Sequence, residues 1–247
     1  MKARIVQATI VLGLLLMAAG SITAQVTQAG LPAYTVKYTT TFAEGTAQPV
    51  FLLARRSDGS QVDGVYEQGQ LSTKTILSVE SKDSIHYDVV AHVAFVIPLQ
   101  RYEYERLKTR FANCEEASLA GSCTTRAGVI LGHPVDKVET AVTGSSDFAR
   151  TVRYVAPGLN YLMLREEVYA RDGRQVSVQV ATDLLAGEPE SSLFAIPAGS
   201  LQATSYEQYM REKMTRRGLE LKEHHLRAAK RQDDMVRRWR ESGLFMK

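Results

Sequence analysis

Short catalytic signatures are missing from the sequence. Neither a nucleophile-elbow Gly-x-Ser-x-Gly nor a zinc-protease His-Glu-x-x-His occurs in its 247 residues, and no glycine loop matches the P-loop or the dinucleotide fingerprint. Gly144-Ser145-Ser146 and Gly199-Ser200 read as turns, and Glu103/Glu105 and Glu166/Glu167 as acidic pairs on charged surface strands. Histidine is scarce, at five residues. His224 and His225 are adjacent, so on a helix their side chains point about 100° apart and do not converge on a metal. His86 and His92, six apart on what reads as one strand, are taken as sheet-surface residues. No catalytic residue, cofactor or metal site is therefore expected, and a hydrolase with an unrecognised site is the catalytic reading left over. The bulk composition, 45% hydrophobic and 23% charged, excludes collagen-like, wholly disordered and polytopic membrane chains.

A long apolar run is also missing. Lys2 and Arg4 precede an apolar stretch from Ile5 to Ala19, broken by Gln7, Thr9 and Gly13, and small residues follow to Ala24. A bilayer span requires about 20 apolar residues. The shorter run with its positive start reads instead as a secretory signal peptide over 1–24, leaving Gln25 as the new N-terminus. No cysteine near that point could carry a lipid. The expected location is the periplasm or the extracellular side of a bacterial envelope. In such an oxidising compartment the two cysteines, Cys114 and Cys123, read as a disulfide across a loop rich in small residues. The alternatives are a redox pair, without a Cys-x-x-Cys, or a metal site with His133 as the nearest histidine.

What is abundant is the strand pattern. Tyr34, Val36, Tyr38 and Thr40 alternate with Thr35, Lys37 and Thr39, the period of a half-buried strand. Val50–Ala54, Val62–Tyr66, Thr73–Val79 and a long run from Ile85 to Ile97 follow at short intervals, with Asp58-Gly59 as a hairpin turn. Past the cysteines come Val135–Val142, Ala149–Val155, Tyr161–Tyr169 and Gln175–Leu184, the last two flanking Asp172-Gly173. Such spacing predicts a meandering antiparallel sheet and excludes alternating strand–helix units.

From Thr204 onward the chain contains no proline and is rich in Arg, Lys, Glu, Met and Leu, which favours helix. One long helix is predicted over 204–247, with Gly218 as its candidate break. Its apolar stripe, through Met210, Met214, Leu221, Met235 and Trp239, is interrupted by Arg217, His225 and Gln232. The formal +3 charge divides into +2 in the leader, −4 over 25–203 and +5 in the tail. Acidic residues interleaved along the tail dilute the field that phosphate binding needs, so nucleic acid is not an expected partner. Arg237, Arg238, Trp239 and Arg240 are the candidate docking residues for an envelope protein or an anionic membrane surface. The tail could equally pack one face on its own acidic sheet.

Between Gly128 and Gly199 the order of motifs becomes familiar. Gly128-Val129-Ile130-Leu131-Gly132-His133-Pro134 opens it, and Val152-Arg153-Tyr154-Val155-Ala156-Pro157-Gly158-Leu159 follows. Leu162-Met163-Leu164-Arg165-Glu166-Glu167 then stands ahead of Asp172-Gly173, and Leu193-Phe194-Ala195-Ile196-Pro197-Ala198-Gly199 ends it. This resembles the LolA/LolB-like periplasmic lipoprotein-carrier superfamily and its uncharacterised secreted relatives. The resemblance implies an α+β fold: a curved antiparallel sheet, an incomplete β-barrel, with helices across its concave face over residues 25–203. It also implies an apolar cavity suited to acyl chains. The chain departs from the pattern in having no lipid-attachment cysteine, a cysteine loop in mid-chain and a basic C-terminal helix. The expected function is that of a non-catalytic exported protein binding a lipid-like or other hydrophobic ligand. An envelope interaction or sensor module acting through the tail is the alternative.

Overall fold

In the computed structural model, residues 30–43, 50–118, 121–142 and 148–246 are described. The signal-peptide assignment over 1–24 lies outside them. Six strands come first: β1 (Tyr34–Phe42), β2 (Val50–Arg55), β3 (Gln61–Glu67), β4 (Gln70–Ser78), β5 (Asp83–Asp88) and β6 (Val93–Pro98). Two short helices follow, α1 (Arg101–Lys108) and α2 (Cys114–Ser118). Five strands come next: β7 (Ser122–Ile130), β8 (His133–Ala141), β9 (Phe148–Ala156), β10 (Leu162–Ala170) and β11 (Gln175–Ala186). The chain ends with β12 (Leu201–Ala203) and helices α3 (Tyr206–Arg216) and α4 (Glu223–Glu241).

All twelve strands form one open sheet, in the order β12-β6-β5-β4-β3-β2-β1-β11-β10-β9-β8-β7. Neighbours are antiparallel except β12, which runs parallel to β6. Two strands read as one in the sequence are separate here. The apolar run from Ile85 to Ile97 turns between β5 and β6, where Asp88 Oδ1 accepts from Ala91 N–H at 2.8 Å and His92 adopts φ 54°. His92 therefore lies in a turn, not on a strand face with His86. An Asp side chain closing a turn on its own downstream backbone outweighs the β propensity of Val89 and Val90.

Cross-strand partners share a face, so the register defines rows across the sheet. One row runs Val36, Leu53, Asp63, Thr75, His86, Phe95. A second runs Tyr38, Phe51, Val65, Thr73, Asp88, Val93. The alternate row Ala54, Val62, Ile76 points the other way, where Leu193, Phe194 and Ile196 cover it. That cover is fixed by Lys74, whose ammonium donates to the carbonyls of Leu193 at 2.8 Å and Ala195 at 2.7 Å. The Leu193–Gly199 motif thus closes the outer face and delivers β12 to the sheet edge.

The tail is two helices rather than one. Gly218 takes φ 65° after α3, a left-handed conformation that ends a helix cheaply in glycine. Helix α4 then packs back on α3, and its Asp233 carboxylate accepts from the Tyr206 and Glu207 N–H groups at 2.7 and 3.0 Å. Three unpaired N–H groups at the start of α3 are so satisfied, the third by Ser205 Oγ at 3.0 Å. Tyr209, Val236 and Phe245 meet Val93, Phe95 and Ile97, so the helical pair fills one end of the row-bearing face. Among the described residues no helix is long and apolar enough to cross a membrane.

Candidate functional site

Where the tail helices stop, the same sheet face forms a trough. Tyr38, Phe51, Leu53 and Val65 from the first strands meet Leu162 and Met163 of β10 around a cavity of about 460 Å³. Thr73 and Thr75 of β4 line it too, five strands from β10 in sheet order. Flat strands at a spacing of about 4.8 Å would hold β4 and β10 some 24 Å apart. A shared cavity requires the sheet to curl, so the row-bearing face is concave. Tyr38 braces the curve by donating its hydroxyl to the Met163 carbonyl at 2.7 Å. Burial raises its phenol pKa, which keeps it a donor.

A second compartment of about 530 Å³ continues from the first, sharing Leu53, Asp63, Leu162 and Met163 with it. Helix α1 roofs it with Tyr102, Arg106 and Leu107 above Tyr34, Arg55 and Leu77. The roof is fastened at three points. Arg55 Nη2 donates to the Leu107 carbonyl at 2.7 Å. Asn160, in the left-handed region at φ 55°, donates to the Thr109 carbonyl at 3.0 Å and accepts from Phe111 N–H at 2.9 Å. At the third, Gly59 lies so close that a Cβ there would meet the Leu107 carbonyl at 2.5 Å.

The trough has two titratable residues of note. Asp63 keeps contact with water, yet the walls crowd it; this desolvation raises its carboxyl pKa against the lowering effect of two bonds from Gln61 Nε2, at 3.2 and 3.1 Å. Arg55 is only 7% exposed. Neither residue was picked out from the sequence. The strand read over Val50–Ala54 stops one residue short of Arg55, whereas the two-residue period through Phe51 and Leu53 carries Arg55 onto the concave face.

The residues singled out from the sequence lie elsewhere. Cys114 opens α2 and Cys123 lies on β7, and their disulfide, with Cα atoms 6.2 Å apart, packs against Val138 and Val155. Their sulfurs lie near Asp136, but bonded to each other they offer no thiolate to a metal, and Asp136 accepts from Arg126 N–H at 2.9 Å. Arg237, Arg238 and Arg240 are exposed, with Arg237 paired to Asp234 at 2.9 Å. Trp239 turns inward and meets the Phe245 ring edge-on at 6.1 Å, so it is not on one surface with the arginines.

No protein-family model matches the sequence, and no curated relative matches it. Solved structures do. The chain resembles an uncharacterised conserved protein from Thermus thermophilus at 10% identity, over 70% of this chain and 90% of that one, with a TM-score of 0.46. It resembles the Pseudomonas aeruginosa MucA/MucB structure at 10% identity, over 68% of this chain and 56% of that one, with a TM-score of 0.44. A LolA superfamily protein from Nitrosomonas europaea is similar at 12% identity, over 68% and 91% of the two chains, with a TM-score of 0.28. These are likenesses at 10–12% identity, and neither a family nor a function follows from them.

Proposed function

We propose that the chain is an exported, non-catalytic binding protein whose concave trough holds a lipid-like or other hydrophobic ligand. One observation carries this reading: Phe51, Leu53, Val65 and Met163, each only partly buried, line an open cavity beside the buried Tyr38 and Leu162. Two connected compartments of about 460 and 530 Å³ fall within the usual range for small-molecule sites, roughly 300–1,000 Å³. The disulfide suits export to an oxidising compartment.

N-phenyl-1-naphthylamine, an uncharged apolar dye, is expected to brighten on binding and to be displaced by dodecanol. Leu53→Arg, which sets a charge between the compartments, should weaken dye binding at least ~10-fold with an unchanged circular dichroism spectrum. Absence of dye binding, together with no lipid in native mass spectra of the purified protein, would overturn the proposal. A second reading, docking of an envelope protein or anionic membrane through Arg237, Arg238 and Arg240, is supported by the outward exposure of the three arginines.

A further inference from the structure

A buried guanidinium calls for a counter-charge, and Arg55 makes no ion pair among the described residues. The side chain is 7% exposed, its Nε has no hydrogen-bond partner, and the groups it does reach are neutral, the Leu107 carbonyl at 2.7 Å and the Tyr34 hydroxyl. Ion pairs within 4.0 Å elsewhere in the trough do not involve it. Arg153 is held by Glu166 at 2.6 Å. The carboxylate of Glu103 accepts from Gln100 N–H at 3.1 Å. Asp63 is bonded to Gln61 and reaches no cation within that distance. By contrast the other well-buried arginine, Arg217, has Asp88 at 2.9 Å and Glu67 at 3.2 Å. A charge left buried without a counter-charge is strongly unfavourable.

Arg55 also stands at an informative place. It lines the roofed compartment, while Leu53, two residues earlier on the same strand and face, lines both compartments. Arg106 of α1 stands at the rim of the roofed compartment, exposed. The other compartment holds Tyr38, Phe51, Val65 and Met163. The trough is therefore graded along its length, mostly apolar at the end where Asp63 and Lys74 are the charged lining residues, and richer in charge under α1, where Arg55, Arg106 and Arg153 outnumber Asp63 and Glu103.

We propose that the ligand is an anionic amphiphile, its carboxylate or phosphate headgroup paired with Arg55 under α1 and its chain lying along Leu53, Phe51 and Met163. This rests on the hydrophobic-ligand reading and names the ligand class. The headgroup would supply the missing counter-charge, and a guanidinium forms two parallel bonds to either oxyanion.

Isothermal titration of the protein with dodecanoate, dodecyl phosphate and dodecanol tests this, because the three share one chain. Both anions should bind ~30-fold more tightly than the alcohol, the size of a charge-assisted bond. Acetate and inorganic phosphate should bind far more weakly, which separates an amphiphile site from a bare anion site. In Arg55→Met the preference for the anions over dodecanol should fall below ~3-fold, and Arg55→Lys should restore part of it. Equal binding of anions and alcohol by the unaltered protein would overturn the headgroup assignment while leaving the hydrophobic-ligand reading intact. Binding of none of the three would overturn both. The unaltered protein decides the matter should Arg55→Met fail to fold, and a preference persisting in folded Arg55→Met would also refute the role of Arg55.

Discussion

Asp63 is exposed to water yet flanked by apolar walls. It faces the concave side between Leu53 and Thr75, and crowding by the walls raises its pKa above that of an unfolded aspartate, about 3.9. The folded state then holds its proton more tightly than the unfolded state does. Stability on this account is greatest below the unfolded pKa, declines as pH rises towards the raised folded value, and is level above it. Asp63→Asn removes the ionisation and keeps the shape. The variant should be more stable than the parent at neutral pH, with the advantage vanishing near pH 3. Urea midpoints across that range measure it, and a variant less stable at neutral pH would mean that the Gln61 bonds outweigh the crowding. The same carboxylate is a candidate for fixing where a polar part of the ligand cannot lie, since an anionic headgroup would be repelled from it towards Arg55.

At the scale of elements, alternation marked most strands to within a residue or two, because a sheet with one face on a core and one on a trough keeps the period of two. The β5–β6 turn escaped notice because Val89, Val90 and Ala91 look like strand residues, and only the Asp88 bond to Ala91 N–H reveals the reversal. Helix α1 was illegible for another reason. Its sequence, Arg101 to Lys108, buries Leu107 alone and carries charge on most other faces, so no apolar stripe marks it. It is held by tertiary bonds from Arg55, Asn160 and the Gly59 approach, each distant in sequence. The trough was legible as an expectation of the fold; its cationic end was not, because α1 defines it. The cysteine link, read from spacing and compartment, belongs to this scale too. It ties α2 to β7 over a separation of nine residues. Replacing both cysteines by serine should cost about 2–3 kcal/mol by the chain-entropy relation. Chemical denaturation of the variant measures this loss; a cost below ~0.5 kcal/mol would mean that α2 is held by its packing on Val138 and Val155 alone.

For the whole molecule, the division of charge between an acidic sheet and a basic tail has a structural counterpart. Asp88 is fully buried and meets Arg217 at 2.9 Å and Lys213 at 3.5 Å, and Arg217 goes on to Glu67 at 3.2 Å and the Ser72 carbonyl at 3.2 Å. Part of the tail's positive charge is therefore spent on its own sheet, at the end of α3. That anchoring works with the packing of Tyr209, Val236 and Phe245 on Val93, Phe95 and Ile97, so removing 204–247 would strip the sheet of core rather than of an appendage. A docking role for the tail has to be tested without deletion. Arg237, Arg238 and Arg240 offer the means, because their exposure uncouples them from that packing while Trp239 stays in it. Reversal of all three to glutamate should cost no more than about 1.5 kcal/mol of unfolding free energy in urea, about 0.5 kcal/mol for each exposed substitution. Co-sedimentation with phosphatidylcholine vesicles, with and without phosphatidylglycerol, then discriminates. If the tail docks on an anionic surface, the parent binds only the vesicles containing phosphatidylglycerol, salt weakens the binding, and the reversed variant loses it. Equal sedimentation of parent and variant would exclude the arginines as a membrane contact and leave an envelope protein as the partner proposed for that surface.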